Sequence, residues 1–305
     1  MTFAPPHPSC QGHDLDPVSA EPPIAHPLRL RLGCEMGFAF AQPTPMIAMV
    51  NIHYSRVGDL ERPDRLTTAP DVPVRSYRDL FGNWCCRLTA PAGDFTLGID
   101  SVICDSGRPD ATFPEARQHE IEDLPPSTLT FLLPSRYCES DMLMHEAWSL
   151  FGGSQPGWAR VQAICDFVHG HVRFDYQLAH NQRTAAQTYQ GRCGVCRDYT
   201  HLAIAFCRAV NIPAMYCNGY ISDVGQPLPY ATQDFCAWMR VYLDGRWIDV
   251  DPRNNRPMYG RVLVSTGRDA ADVPLTHSFG WGALNRFRVW VDELAPPPGG
   301  HPAPP

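Results

Sequence analysis

A cysteine at the expected start of a helix, Cys196, is the residue of this sequence best suited to act as a nucleophile. It follows a loop with two glycines and opens an apolar-periodic stretch that predicts a helix from about Val195 to Val210. A helix N-terminus carries about half a positive charge and unpaired N–H groups, which favour a thiolate and can hold an oxyanion. The alternative interpretation is a buried structural thiol.

A β-hairpin predicted around Asp244-Gly245 brings a second cysteine close to a carboxylate. Asp-Gly is a strong signal for a two-residue turn, and the register it imposes places Trp238 opposite Asp251. Cys236 and Asp251 are then diagonal neighbours on one face, about 7 Å apart at their Cβ atoms. A histidine at position 236 would reach Asp251 as the base and orienting acid of a cysteine triad. Asp251 can equally be a strand-end carboxylate held by local hydrogen bonds.

The histidines of the chain offer weak substitutes for a base at position 236. His201 follows Cys196 by five residues and therefore lies well around the same helix, which favours a structural role. His169 and His171 are expected at a helix end, where a cation suits the dipole. His277 belongs to a late strand or loop that sequence cannot place, and it is the candidate replacement base.

Other uses of the cysteines remain open. Cys193 and Cys196 form a CxxC at a helix start, as in redox proteins, but no βαβ pattern precedes it. Cys196 and Cys236 can form a disulfide or hold a soft metal if they face each other. A closed zinc site needs four ligands, and only these three cysteines suggest themselves, so we expect no metal. His169-Gly170-His171 reads as a solvated helix end.

The elements that must position these residues have an α+β order. Period-two alternation at 28–32 and 95–99 predicts half-buried strands and a small β-sandwich over residues 28–125. Helices are expected from about Ser140 to a stop at Gly152, from Trp158 to His169 and at Cys196. Strands are expected at 214–221, 234–243, 246–251, 261–266 and 286–292. Helices followed by an antiparallel sheet indicate a catalytic domain over residues 126–294.

Composition bounds the class of protein. The 305 residues are 44% hydrophobic and 19% charged, with a net charge of −7, which argues against a general nucleic-acid binder. Proline-rich ends predict a disordered extension at 1–27 and a disordered tail at 295–305. The apolar stretch 38–52 contains two prolines and is too short to span a bilayer, and no secretory signal is evident. We therefore expect a cytoplasmic protein with free thiols, no membrane contact and no cofactor.

Several blocks in one order resemble bacterial transglutaminase-like proteins. The nucleophile block runs from Gly194 to Ile221, with Gly-Val-Cys-Arg-Asp, Ile-Pro-Ala and Gly-Tyr-Ile, and the second block runs from Asp234 to Arg253. Gly260-Arg261-Val262-Leu263 and 267–273 resemble the stretch that follows, and 132–141 resembles the linker before the catalytic domain. The resemblance covers nearly everything except the two ends.

The resemblance implies a papain-like catalytic core with a Cys-His-Asp triad, preceded by an N-terminal β domain. It assigns Cys196 as the nucleophile and Asp251 as the orienting acid, for amide hydrolysis or acyl transfer through a thioester on a peptide or protein substrate. Cys236 stands where the base histidine is usual, and Asn254 stands where a histidine is expected after the acid. We expect Trp238 and Arg253 to contact substrate. The alternative is a catalytically impaired pseudoenzyme that binds peptides or a protein partner.

Overall fold

The computed structural model describes residues 27–224 and 233–295, so the expected extension at 1–27 and tail at 295–305 lie outside the described residues except for Pro27 and Ala295. The fold combines antiparallel sheets with a helical layer. The strands are β1 (Leu28–Phe40), β2 (Thr44–Ala48), β3 (Leu60–Arg62), β4 (Thr67–Ala69), β5 (Arg75–Arg78), β6 (Trp84–Ala90), β7 (Gly93–Asp105), β8 (Arg173–Phe174), β9 (Cys193–Gly194), β10 (Ala214–Tyr220), β11 (Cys236–Leu243), β12 (Arg246–Val250), β13 (Val262–Gly267), β14 (Thr276–Ser278) and β15 (Gly282–Leu294). The α-helices are α1 (Pro126–Leu129), α2 (Met144–Phe151), α3 (Trp158–His171), α4 (Ala185–Gly191) and α5 (Cys196–Ala209), and 3-10 turns span Tyr54–Asp59, Ile121–Asp123 and Tyr176–Leu178.

Two sheets form the N-terminal layer. The first has the order β15-β1-β7-β3, with β4 also on β7, and the second has the order β14-β2-β6-β5. Strand β1 buries every second side chain, as its sequence alternation predicts, and the same holds for much of β7. Tyr220, Val262 and Val264 of the neighbouring sheet join this core, so the N-terminal layer packs directly on the layer that carries the candidate site.

The last strand of the chain pairs with the first. β15 runs antiparallel to β1 from Arg29↔Leu294 to Phe40↔Gly282, with one irregularity near Gly37. The sequence predicted this strand at 286–292 as the end of the catalytic domain, whereas its pairing makes it an edge of the first sheet. The β-sandwich is thus assembled from both ends of the chain, and the domain boundaries at 125 and 294 stay a prediction.

A third sheet, with the order β12-β11-β10-β13, supports helix α5. Every α5 residue from Asp198 to Ala209 is buried, because α2, α3 and α4 cover the faces that the sheet leaves free. Its buried polar side chains have hydrogen-bond partners, as Asp198 does with the N–H of Val195 and Arg208 does with the carbonyl oxygen of Ala214. Helices packed on an antiparallel sheet beside a β-sandwich confirm the predicted α+β class.

The hairpin of the third sheet has the predicted register. Leu243 pairs with Arg246, and Arg240 pairs with Asp249. Asp244 and Gly245 form the turn with φ angles of +48° and +77°, the left-handed conformation of both central residues that makes Asp-Gly a preferred hairpin turn. This register brings Asp251 to the end of β12, beside the start of β11.

Candidate active site

Cys196 is the first residue of α5, as the sequence predicts. Val195 before it is extended, with φ −110° and ψ 178°, and its N–H donates to Asp198 Oδ2 at 2.9 Å. The carboxylate of Asp198 is wholly buried, and Arg183 and Arg197 face it at 3.5 and 3.4 Å. These contacts fix the loop before the helix, so the sulfur of Cys196 is held at the helix N-terminus.

The glycine before this helix has a steric reason. A Cβ at Gly194 would lie 2.6 Å from both Cβ and Oδ2 of Asp198, which is closer than real Cβ atoms approach. Only glycine at position 194 therefore lets the Asp198 carboxylate reach the N–H of Val195. The spacing of Gly194, Cys196 and Asp198 is a structural unit that delivers the thiol to the helix start.

Cys196 is half-buried as a residue, and burial of its thiol raises the pKa. The backbone N–H of Ala237 and the charge of Arg253 lower this pKa, whereas Asp234 and Asp251 raise it. The interaction with Ala237 N–H shows that the sulfur faces the beginning of β11. Burial is the largest of these influences, so the surroundings favour the thiol over the thiolate.

Cys236 is the first residue of β11 and lies close to Cys196. It is opposite Gly219 on β10, and its sulfur lies 3.7 Å from the carbonyl oxygen of Asp234. Burial raises the pKa of Cys236, and a negative charge on Cys196 raises it further. The two thiols therefore lie in one site, and neither carries a positive charge that would lower the pKa of the other.

Asp251 lies where the triad acid was expected, but its carboxylate is fully engaged elsewhere. It is 5% exposed and accepts from the backbone N–H groups of Arg253 at 3.1 Å and Asn254 at 2.9 Å. The Asn254 amide donates at 2.8 Å, and Arg261 Nη2 donates at 3.3 Å. The carboxylate therefore has four hydrogen-bond donors, and one of them is the amide of Asn254, the residue at which the sequence led us to expect a histidine.

Arg253 forms a wall of the site. Its guanidinium stacks 4.4 Å from the ring centre of Phe174 and donates to Asn254 Oδ1 at 2.6 Å, while its carbonyl oxygen lies 2.8 Å from His169 Nδ1. The side chain is half-buried, and its charge lowers the pKa of both site thiols. A cation beside a nucleophile suits substrate or oxyanion contact.

Trp238 has a different place from the one the sequence suggested. It is 0% exposed, its indole N–H donates to Asp249 Oδ1 at 2.7 Å, and Arg261 stacks on its ring at 4.5 Å. The expectation that it contacts substrate is therefore corrected: this tryptophan supports the face of the third sheet opposite α5. Sequence alternation found the face but could not show that Phe131, Leu263 and Arg261 enclose it.

Two of the histidines considered from the sequence have partners away from the two thiols. His201 is wholly buried, stacks on Tyr137 at 5.3 Å and accepts from the N–H of Ala270, and burial holds its pKa well below the usual range. These contacts agree with the structural role expected for it. His277 is on β14, paired with Ile47 in the second sheet and in edge-to-face contact with Phe279. The suggestion that His277 replaces the base is wrong on this placement.

Two residues that sequence reasoning missed face the thiols. Tyr176 follows β8, and the N–H of Asp175 donates to Gly194 at 3.0 Å, which anchors this turn beside the nucleophile. Partial burial of the phenol raises the pKa of Tyr176, although the residue as a whole is 56% exposed, and negative charges on Asp234, Cys196 and Cys236 raise it further. Burial also raises the pKa of Asp234, which interacts electrostatically with both sulfurs. No motif indicated that these two side chains lie beside the thiols.

Within residues 27–224 and 233–295, no group of three or more His, Cys, Asp and Glu side chains is arranged to hold a metal ion. Over the same ranges, no helix has the length and apolarity needed to cross a membrane. The eleven cysteines that the structure describes are free thiols, Cys193, Cys196 and Cys236 among them.

Comparison with known proteins agrees with the geometry. The sequence profile of the transglutaminase-like superfamily matches residues 147–252, which include Cys196, Cys236 and Asp251. Uncharacterized protein Rv2569c of Mycobacterium tuberculosis is 37% identical over 234 residues, 69% of this chain and 73% of the relative. Uncharacterized protein ML0607 of Mycobacterium leprae is 31% identical over 86 residues, 26% of this chain and 29% of the relative.

A solved structure extends the likeness to both layers. A Cytophaga hutchinsonii protein described as a "Putative Cysteine Protease" superposes with a TM-score of 0.78 at 28% identity, over 90% of this chain and 93% of its own. The match therefore includes the N-terminal β-sandwich as well as the helix-and-sheet core. On the profile match, the mycobacterial relatives and this shared structure, the chain belongs to the transglutaminase-like superfamily.

Proposed function

We propose that this protein is a transglutaminase-like cysteine hydrolase or acyltransferase that forms a thioester on Cys196 with an acyl group of a peptide or protein substrate. The observation that carries the proposal is the arrangement at the start of α5. The sulfur of the half-buried Cys196 lies at a helix N-terminus, beside the N–H of Ala237 and the cation of Arg253. This arrangement matches the nucleophile and oxyanion requirements of acyl transfer.

The reaction needs two proton movements. As the sulfur of Cys196 attacks the carbonyl carbon, its proton must leave, and the carbonyl oxygen becomes an oxyanion that N–H groups and Arg253 can stabilise. As the tetrahedral intermediate collapses, the C–N bond breaks and the departing amine takes up a proton. Water or an acceptor amine then attacks the thioester, and Cys196 recovers its proton.

Asp234 and Tyr176 are the groups that we assign to this proton transfer. Asp234 interacts with both sulfurs and has a raised pKa, so it can accept the thiol proton and return it to the leaving amine. The Tyr176 phenol also faces the sulfurs, and its raised pKa makes it a donor but not a base at neutral pH. Without an imidazole, this route is slower than a full triad, since positioned acid–base catalysis contributes roughly 10²–10⁴-fold.

Leaving-group dependence tests the proposal. An aryl thioester needs little protonation to depart, whereas an alkyl amide needs a full proton, so we expect the protein to cleave the thioester much faster. Both rates must vanish in Cys196→Ala and persist in Cys193→Ala, a half-buried cysteine three residues away. Thioester turnover that survives in Cys196→Ala would refute Cys196 as the nucleophile.

A binding protein without turnover is the second candidate. Its support is Asp251, whose carboxylate is engaged by Arg253, Asn254 and Arg261 in a site where both thiols have raised pKa values. A pseudoenzyme would hold acyl peptides in the same cleft and leave them intact. Equal peptide affinity in wild type and Cys196→Ala, together with no covalent adduct in mass spectra of the wild type after thioester exposure, would favour this candidate.

A further inference from the structure

A polar cleft of about 230 Å³ lies where the N-terminal layer meets the hairpin of the third sheet. Its walls come from the turn at Ser55 and Arg56, the loop after β7, strands β11 and β12 and the segment before β13. Its charged lining consists of Arg56, Arg108, Arg240, Arg261, Asp105, Asp110 and Asp249. Four arginines against three aspartates give a net charge of +1 in a protein whose net charge is −7.

The three aspartates of the cleft already have their hydrogen-bond donors. Asp249 accepts from Trp238 and twice from Arg240, at 2.7 to 3.2 Å. Asp110 accepts from the N–H of Met258 and from Nε and Nη2 of Arg261. Asp105 accepts from Arg56 at 3.1 Å and from a backbone N–H. These carboxylates neutralise part of the arginine charge and need no further partner.

Two of the arginines, in contrast, still have N–H donors available. Arg261 has a side chain only 6% exposed, and its Nη1 has no hydrogen-bond partner among the described residues. A buried cationic donor without an acceptor destabilises the folded protein, because the group has lost its water and gained no partner. Arg108 is exposed and has no ion pair with any described carboxylate. Both are donors that an oxyanion in the cleft would satisfy.

We propose that this cleft is a binding site for a small oxyanion, a carboxylate or phosphate group held by Arg261 and Arg108, with the Ser106 hydroxyl alongside. The planar fork of arginine matches both groups through paired N–H donors. The cleft is separate from the two thiols, but Arg261 connects it to the candidate active site, because Arg261 Nη2 also donates to Asp251. A bound oxyanion and Asp251 therefore share one guanidinium.

Titration calorimetry of the full chain with inorganic phosphate, and separately with acetate, tests the site at low ionic strength with matched chloride. We expect saturable binding of at least one anion, and the anion that binds identifies the group that the cleft accepts. Arg108→Gln should weaken it by about five-fold, as for an exposed charge pair. Arg288→Gln removes an equally exposed arginine from β15, outside the cleft, and should leave the affinity unchanged.

Three results would overturn the assignment. They are no saturable binding of either anion, an equal loss in Arg108→Gln and Arg288→Gln, and unchanged affinity in Arg108→Gln. Arg261→Lys gives a second check, because it keeps the charge but removes the fork, and in a chain shown to be folded by circular dichroism it should weaken binding more than Arg108→Gln. Binding is measured without turnover, so the outcome does not depend on the function proposed for Cys196.

Discussion

The two halves of the candidate site fit the proposed chemistry to different degrees. The helix half, around Gly194, Cys196 and Asp198, holds a thiol at the start of α5, as the proposed nucleophile requires. The hairpin half has the predicted turn and register, yet it carries the Cys236 thiol at the position where the proposed reaction would use an imidazole. The comparison teaches that the backbone geometry of a site and the side chain that it presents are separate properties, because β11 pairs regularly with its neighbours with a cysteine as its first residue.

The largest effect should come from removing the nucleophile. Cys196→Ala should abolish thioester cleavage, although the fold-loss should be smaller than the roughly 10⁶-fold seen when a nucleophile is removed from an integrated triad, because the wild type has no imidazole at position 236. The rate is followed by release of the aryl thiol, with Cys193→Ala as the matched control. A comparable loss in both variants would mean that the effect is structural and not chemical.

Restoring the base should give the next largest change, in the opposite direction. Cys236→His places an imidazole beside Cys196 and should raise amide cleavage by roughly 10²–10⁴-fold. Iodoacetamide labelling between pH 5 and 9 provides a second measurement. In the wild type, labelling of Cys196 should still be rising at pH 9, because burial raises the pKa of this thiol. In the variant it should plateau near neutral pH.

The control for this gain is Cys236→Ser, which has a similar size and no imidazole. It should leave both the amide rate and the labelling profile close to those of the wild type. A gain in Cys236→Ser equal to that in Cys236→His would show that removal of the second thiol, and not addition of a base, activates the site.

The hairpin half also contains the proposed proton carrier. Asp234→Asn removes the carboxyl group but keeps its shape, and we expect amide cleavage to fall by about ten-fold or more, toward the lower limit for acid–base assistance. Thioester cleavage should fall less, because its leaving group needs little protonation. Equal losses for the two substrates would assign Asp234 to binding, and Tyr176→Phe offers the same discrimination for the phenol.

The smallest effects should concern stability, with one glycine in each half. Gly194→Ala forces a Cβ against Asp198 and should cost about 1–3 kcal/mol of unfolding free energy, the range for overpacking. Gly245→Ala meets no neighbour but has φ +77°, so it should cost about 1 kcal/mol through backbone strain alone. Urea denaturation measures both. Only the first should also slow labelling of Cys196, and a slowing in the second would contradict the independence of the halves.

Local patterns in the sequence were sufficient to predict much of this site. The helix start at Cys196 and the register from Asp244-Gly245 are set by short-range rules, and both agree with the structure. The errors came from contacts between distant segments. The burial of Trp238 depends on Phe131 and Arg261, which are distant in sequence. Asp234 and Tyr176 reach the thiols from segments whose approach no periodicity encodes. The same reason explains why His277 could not be placed before its strand was paired.

The pairing of β15 with β1 has a consequence for synthesis. The first sheet gains its edge strand, Gly282–Leu294, from residues that are synthesised after everything between Phe40 and Gly282. The nascent β1 must therefore wait, with one side of its backbone unpaired, until β15 has been translated, and pairings this distant in sequence close slowly. A chain stopped shortly before Gly282 would retain every residue assigned to the thiol site yet expose a thirteen-residue edge, a known template for aggregation.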